Sequence, residues 1–204
     1  MIDFHTYDTS NGQRVAIMLE ECGLAYRVHK VDLSRGEQLR PEFLALNPSG
    51  AIPVIVDPDA PGGEPLALAQ SGAILLYLAE KTGRFLPADP RRRAVAQQWL
   101  MHAVSDCAAA SGTIYVLSAR VPEKSPANVA FFEQRLLRQL RAADARLAGR
   151  EWLADELSVA DFALYPVYAV RKALVDAAGD LPQLTRWGAA LAGRPAVARA
   201  MQPV

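Results

Sequence analysis

The chain has 204 residues, 51% of them hydrophobic, which is enough apolar material for a sizeable core in one large or two small domains. Lys and Arg (22) balance Asp and Glu (22), so net charge gives no electrostatic case for nucleic acid or an anionic membrane as partner. No apolar run reaches the ~18 residues of a membrane span, the N-terminal stretch lacks the basic and apolar regions of a signal peptide, and Cys22 and Cys107 lie far apart with no CxxC. The expectation is a cytoplasmic protein without a disulfide framework or zinc site. His5, His29 and His102 show no ligand spacing, so no metal is expected.

The first 82 residues alternate strands and helices. Ile2–Tyr7 reads as a strand. Gly12–Cys22 reads as a helix, with Val15, Met18, Leu19 and Cys22 on one stripe and Gly23 placed to end it. Tyr26–Val31 is a second strand, and strand–helix–strand implies a parallel unit with a right-handed crossover. Pro41–Leu46 reads as a short helix. Two short strands follow, Pro53–Val56 and Pro65–Ala69, separated by the turn-rich segment Asp57-Pro58-Asp59-Ala60-Pro61-Gly62-Gly63-Glu64. Ser71–Lys81 is a helix with Ser71, Ile74, Leu75 and Leu78 on one face. The order βαβ, α, ββα matches the thioredoxin fold.

Residues 83–90 read as a linker broken by Gly83, Pro87 and Pro90, and residues 91–204 read as an all-α domain of about five helices. These are 91–118, 128–147, 158–171, 183–192 and a short 195–201 with proline in its first turn. Ser158 stands three residues before Asp161 at the head of an apolar helix, the spacing of a capping box. The reading of Asp161 is therefore structural. Trp99, Tyr115 and Tyr168 could line an electrophile pocket, but aromatics on bundle helices more often belong to the core, so they are left out of the candidate site.

Three pieces carry chemistry. Ile52-Pro53 precedes the β-branched run Val54-Ile55-Val56. A proline there is a candidate for a cis bond that would present the backbone of Ile52 at an open edge, where a peptide could pair as an added strand. Gln70-Ser71 begin an apolar helix, whose N-terminus attracts a carboxylate. The loop Tyr7-Asp8-Thr9-Ser10-Asn11-Gly12 leads straight into the first helix, so its donors face whatever sits at that N-terminus. A thiolate there is stabilised by the helix dipole and by hydrogen bonds. Lowering a thiol from ~8.5 by two units takes about 2.7 kcal/mol, within reach of one or two charge-assisted hydrogen bonds at about 1.5–3 kcal/mol each. Neither cysteine of the chain is placed to be that thiol, so the nucleophile would belong to a small acidic peptide. Taken alone, Thr9, Ser10 and Asn11 also read as a simple helix cap.

The stretch Asn47–Leu78, with its Ile-Pro-Val-Ile-Val-Asp and Gln-Ser-Gly-Ala-Ile-Leu-Leu-Tyr-Leu runs, resembles the glutathione-binding half of the glutathione S-transferase superfamily. The segments Thr9-x-Asn11-Gly12, Val31-Asp32-Leu33, Arg40-Pro41-Glu42-Phe43-Leu44 and Gly62-Gly63-Glu64-Pro65-Leu66 are similar to the nu class. That resemblance implies a homodimeric, glutathione-dependent transferase or disulfide-bond reductase acting on a small electrophile or disulfide, with glutathione as co-substrate and no metal. It assigns Thr9 and Asn11 to the sulfur, Ile52 before cis-Pro53 to the cysteinyl backbone, Gln70 and Ser71 to the γ-glutamyl end, and Gln38 to the glycine carboxylate. Three positions depart from the class: Gln70 replaces an acidic residue, Ser10 a proline, and Tyr7 a small residue. Ser10 or Tyr7 therefore stand as alternative thiolate donors. A glutathione-binding protein of the same fold without chemistry is the alternative function. The Ser-Ser-Cys signature of an isomerase branch and a cysteine in the 9–11 loop are both missing.

Overall fold

The computed structural model describes all 204 residues, which form two compact units: Met1–Arg84 together with Arg194–Val204, and Phe85–Gly193. The first unit is built on four strands, β1 (Ile2–Thr6), β2 (Tyr26–Lys30), β3 (Val54–Asp57) and β4 (Leu66–Ala69), in the order β2-β1-β3-β4. β1 and β2 run parallel; β1–β3 and β3–β4 are antiparallel. Between β1 and β2 lies α1 (Ser10–Cys22), after β2 comes α2 (Pro41–Leu44), and after β4 comes α3 (Ser71–Thr82). This is the thioredoxin-like arrangement expected from the sequence. Two single 3-10 turns, Leu33–Arg35 and Glu37–Leu39, fill the stretch before α2.

Strand alternation sorts the side chains onto two faces. Ile2, Phe4 and Thr6 are buried while Asp3, His5 and Tyr7 are only half-buried. In β3, Val54 packs with Val31 and Phe43 on one face, joined by Leu46, Ile52 and Ala69. Ile55, buried with Phe4, Val15, Met18, Leu19, Ile74, Leu75 and Leu78, belongs to the core under α1 and α3. On the first of these faces His5 stacks on His29, with 4.6 Å between ring centroids, and His29 pairs with Asp3 at 2.7 Å.

The turn from β1 into α1 is tight because Gly12 has no side chain. A Cβ there would lie 2.3 Å from Thr6 Oγ1 and 2.7 Å from the backbone oxygen of Tyr7. Gly23, at φ 68°, closes the other end in the left-handed conformation that glycine adopts freely.

The expectation assigned everything after the linker to a single helical domain. The structure instead groups Arg194–Val204 with the first unit. There α10 (Pro195–Ala200) packs along α1, Arg194 makes a two-point ion pair with Glu21 at 2.6 and 2.8 Å, and Arg199 pairs with Glu20 at 2.7 Å.

The second unit is all helical. α4 (Pro90–Met101) runs through a π-helical turn, His102–Cys107, into α5 (Ala108–Tyr115) and a second π-helical turn, Val116–Arg120. Backbone angles stay helical throughout, so the long helix read from the sequence is one rod with two widened turns. α6 (Pro126–Leu147), α7 (Val159–Val170), α8 (Lys172–Ala178) and α9 (Pro182–Ala192) complete the unit. α8 was not expected; it follows directly on α7, from which Arg171, at φ −109°, separates it. Tyr168 is buried against Trp187, with ring centroids 5.8 Å apart, whereas Trp99 is half-buried and Tyr115 is exposed, so the core reading holds for Tyr168 and fails for Tyr115.

Asp161 anchors this unit. It is fully buried, and each carboxylate oxygen accepts two hydrogen bonds: Oδ1 from Leu153 N–H and Trp187 Nε1–H, Oδ2 from Ser158 N–H and Ser158 Oγ–H. The capping box is complete. Burial pushes the carboxyl up to about 6, against the pull of those donors. The Ser158 hydroxyl can turn to accept from a protonated Oδ2, so both forms are held.

Two outcomes follow from these packing facts. Gly12→Ala should lower stability by about 1–3 kcal/mol, read by urea denaturation. Because the folded pKa of Asp161 exceeds its unfolded value of ~3.9, the native state holds a proton that the unfolded chain has already released. Its contribution is therefore full below about pH 4, falls by up to about 3 kcal/mol as pH rises through about 6, and is flat above. Asp161→Asn should remove that slope. Its cost should therefore be largest below about pH 4, about 2–4 kcal/mol because its NH2 faces donors, and should shrink by up to about 3 kcal/mol above pH 6, where the parent has already lost its own contribution.

Candidate functional site

One end of the sheet gathers the residues singled out from the sequence. Ile52 lies two residues before the register pairs His5↔Val54 and Val54↔Ala69. Extending both registers by two sets Ile52 level with Tyr7 on one side and Ser71 on the other. The Ile52–Pro53 peptide is cis. The side chain of Ile52 packs into the Val31–Phe43–Val54 cluster, so its backbone is what it offers at the end of the sheet. The N-termini of α1 and α3 arrive at this same end, following β1 and β4 directly. The first-turn amides of a helix have no partner within it, and the two helix dipoles add partial positive charge there.

Thr9 is the N-cap of α1. Its backbone is extended and its Oγ1 accepts from Gly12 N–H at 3.1 Å. The cap uses an oxygen lone pair and leaves the hydroxyl proton to donate elsewhere. Capping and thiolate donation are therefore compatible duties of one side chain. Ser10 and Asn11 occupy the first turn; Asn11 is exposed and Ser10 half-buried.

Tyr7 takes a different position. Its ring faces Lys30, whose ammonium lies 5.6 Å from the ring centroid. The neighbouring Asp32 carboxylate raises the pKa of its hydroxyl. Tyr7 belongs to the face of His5, opposite the buried Thr6. The Tyr7 hydroxyl is thus turned toward the Asp32 carboxylate, whereas the Thr9 hydroxyl sits at the head of α1.

At α3, Gln70 is the N-cap residue with φ 68° and ψ 107°. A non-glycine residue in this region costs about 1–3 kcal/mol, and such strain concentrates at binding and catalytic positions. Ser71 is buried, and its Oγ accepts from Arg14 Nη1 at 3.2 Å. Arg14, on α1, is only 1% exposed. A buried guanidinium thus stands directly behind the hydroxyl at the head of α3. Sequence reasoning missed Arg14. The available signal was a cation in α1 one residue before Val15 of the buried stripe, which alone reads as a solvated edge.

Gln38 sits in the Glu37–Leu39 turn. That turn packs on Gly50, where a Cβ would meet Leu39 Cδ2 at 3.1 Å and the Gln38 backbone oxygen at 3.3 Å. It therefore neighbours the segment leading to Ile52. Gln38 Oε1 is shut off from solvent without a protein hydrogen bond. The two cysteines are free. Cys22 is on α1 near Thr82, at 3.4 Å, and burial raises its thiol pKa. Cys107 is buried in the second unit. Neither is at the sheet end. No group of three or more His, Cys, Asp or Glu side chains is arranged to hold a metal ion, and no helix is long and apolar enough to cross a membrane.

Fold and site thus define a protein with a thioredoxin-like unit, carrying two helix N-termini at one sheet end, and an all-helical unit. Residues 10–81 match the family description "Glutathione S-transferase, N-terminal domain" and residues 108–195 match "Glutathione S-transferase, C-terminal domain". Disulfide-bond oxidoreductase YfcG of Escherichia coli is 40% identical over 204 residues, covering 98% of this chain and 94% of that protein. Disulfide-bond oxidoreductase YghU of the same organism is 32% identical, covering 97% of this chain and 73% of that protein. A glutathione transferase structure from Pseudomonas putida, with one glutathione disulfide bound per subunit, is 36% identical with a TM-score of 0.91, over 98% of this chain and 90% of that one. The chain belongs to the glutathione S-transferase family. The disulfide-bond oxidoreductase branch to which its motifs pointed is the one named in these relatives.

Replacing Tyr7 by Phe should leave glutathione turnover within about twofold of the parent, about 0.4 kcal/mol, in a steady-state assay. A loss of about a hundredfold would return the tyrosine to the role of thiolate donor.

Proposed function

We propose that the protein is a glutathione-dependent disulfide-bond reductase of the transferase family. The observation that carries this reading is the convergence of two helix N-termini and the Ile52 backbone at one sheet end, with no cysteine of the chain beside them. Such a site supplies everything a thiolate needs except the sulfur. Thr9 donates its hydroxyl proton to the glutathione sulfur while the cap bond from Gly12 polarises it, and Asn11 assists. Ile52, before cis-Pro53, pairs with the cysteinyl backbone. Ser71 with Arg14 behind it, and the strained Gln70, hold the γ-glutamyl carboxylate. Gln38 takes the glycine end.

The bound thiolate then attacks one sulfur of a small disulfide. A new sulfur–sulfur bond forms to glutathione, the substrate bond breaks, and the leaving thiolate takes a proton. A second glutathione attacks the mixed disulfide and releases glutathione disulfide with the second reduced thiol. Support comes from the disulfide-bond oxidoreductase names of the two Escherichia coli relatives and from a glutathione transferase of Burkholderia graminis, 38% identical, TM-score 0.91, covering 98% of this chain and 87% of that one, with two glutathione molecules bound per subunit. Free cysteines and a reaction that consumes reduced glutathione suit a cytoplasmic setting. The reading includes a homodimer, for which the exposed Met101, Tyr115, Val116, Phe131 and Val170 of the helical unit offer apolar surface.

The test is glutathione oxidation with 2-hydroxyethyl disulfide, followed through a coupled reductase, beside a chloronitrobenzene acceptor. Disulfide turnover should dominate; glutathione binding without either activity would overturn the reading. Losing one hydrogen bond to a charged group costs about 1.5–3 kcal/mol. Thr9→Ala should therefore raise the pKa of the bound thiol by about 1–2 units and slow turnover by about 10- to 100-fold. Thr9→Ser, which keeps cap and donor, should restore both.

A further inference from the structure

The loop that carries Thr9 is held by a segment almost two hundred residues away in sequence. Val204 N–H donates to Asp8 Oδ1 at 2.9 Å, and Lys30 Nζ donates to the backbone oxygen of Val204 at 2.7 Å. Lys30 is the same ammonium that lies over the Tyr7 ring. Both residues immediately before Thr9 are thus engaged, Asp8 directly and Tyr7 through Lys30.

The rest of the segment is fixed to the far end of α1. Arg194 grips Glu21, whose side chain is 5% exposed, and Arg199 reaches Glu20, which also accepts from Tyr26 Oη at 2.8 Å. α10 packs along α1 between these points. The segment therefore spans the helix from its last turn to the loop before its first, about 20 Å at 1.5 Å per residue. Thr6 is pinned by the bond from Val31 N–H to its carbonyl, and Gly12 by the cap. Between them, the Thr9 N–H to Tyr7 carbonyl bond at 2.7 Å is a purely local tie. Two ties connect this stretch to the rest of the unit: Tyr7, with its hydroxyl against Asp32 and its ring facing Lys30, and the Val204 bridge, which is the one that reaches Asp8, the residue next to Thr9.

We propose that Arg194–Val204 is a positioning element for Thr9, acting through Asp8 and Lys30. This rests on the reading of Thr9 as the thiolate donor. A hydroxyl has to sit within hydrogen-bond distance of the sulfur and aim its proton along a narrow angle, so a loop free to shift by an ångström loses that bond part of the time. The segment touches no part of the reaction itself.

The sign of the effect separates positioning from simple charge. Asp8 is a negative charge next to the site, so removing it electrostatically would make the bound thiol more acidic. Loss of positioning would make it less acidic. The experiment titrates the ultraviolet thiolate absorbance of glutathione bound to the full chain and to Asp8→Ala, Asp8→Asn, Lys30→Met and Thr9→Ala. Asp8→Ala should raise the bound-thiol pKa by about half a unit to one unit, a roughly three- to tenfold loss of thiolate at a pH below it. Lys30→Met should raise it too, but there lost charge acts in the same direction, so Asp8→Ala is the deciding variant. Asp8→Asn keeps an acceptor oxygen for Val204 N–H and should hold the pKa at or below that of the parent. An unchanged or lowered pKa in Asp8→Ala, whatever Lys30→Met does, with Thr9→Ala still raising it, would overturn the positioning role and leave the Thr9 reading intact. No shift in Thr9→Ala would remove the Thr9 reading, and this inference with it.

Discussion

A helix begins with amides that have no partner in the helix, and this protein points two such ends at one end of one sheet. That convergence is the constraint on which the rest depends. It needs α1 and α3 to start immediately after neighbouring layers of strand, and it needs the β1–α1 turn to be shorter than a side chain at position 12 would permit, with Thr6 Oγ1 only 2.3 Å from where a Cβ would be. The buried face of the sheet supplies the floor. Phe4, Ile55, Val15, Leu19, Ile74 and Leu75 lock both helices onto it, so the orphan amides are presented by a packed core rather than by loops. A site held this way reorganises little when charge arrives, which is the condition under which dipoles stabilise an anion most.

On the proposed reading, the stabilisation of a bound thiolate is modest in any single contact and sufficient in sum. A thiol lowered by two units needs about 2.7 kcal/mol. A hydroxyl donor, first-turn amides and a half-charge from the helix end each contribute on the order of 0.5–3 kcal/mol. Thr9 is economical here because its lone pair serves the cap while its proton remains to donate. At the other helix, Gln70 accepts a strained backbone and Arg14 is buried behind Ser71. The strained backbone works against stability on its own, in keeping with the pattern that local rules are broken where function is, and the proposed reading gives this end a carboxylate to hold.

Much of this was legible in the sequence, for identifiable reasons. The element order of the first unit followed from period-2 and period-3.6 patterns punctuated by Gly and Pro, and the Ile52-Pro53 and Gln70-Ser71 pairs are local signals. The capping box at Ser158 and Asp161 is a three-residue spacing. What stayed hidden depends on contacts distant in the chain. Arg14 looks like any helix cation until Ser71 is brought beside it. Nothing in the sequence showed that Tyr7 would lie on the face of His5 and Lys30 while Thr9 capped α1. α8 is too short for a periodic pattern, and Pro195–Ala200 reads as one more bundle helix because its partners, Glu20 and Glu21, lie over 170 residues earlier.

The placement of that last helix bears on how the family fold divides its work. The thioredoxin-like unit is completed by residues from the far end of the chain, so its first helix is gripped along its whole length: by sheet core on one side, by Arg194 and Arg199 at its C-terminal turn, and by Val204 just before its N-cap. Exposed ion pairs such as Arg199–Glu20 contribute little to global stability. The Glu21 pair differs, since its carboxylate is nearly buried and held at two points, and breaking it would leave a sheltered charge without its partner. Most of the anchoring energy therefore sits at the end of α1 away from the site. The contacts near Thr9 are polar and exposed, weak enough that they add little to folding and directional enough to hold a loop. An arrangement of this kind lets the site end of the helix be tuned by sequence changes that leave the stability of the unit almost untouched.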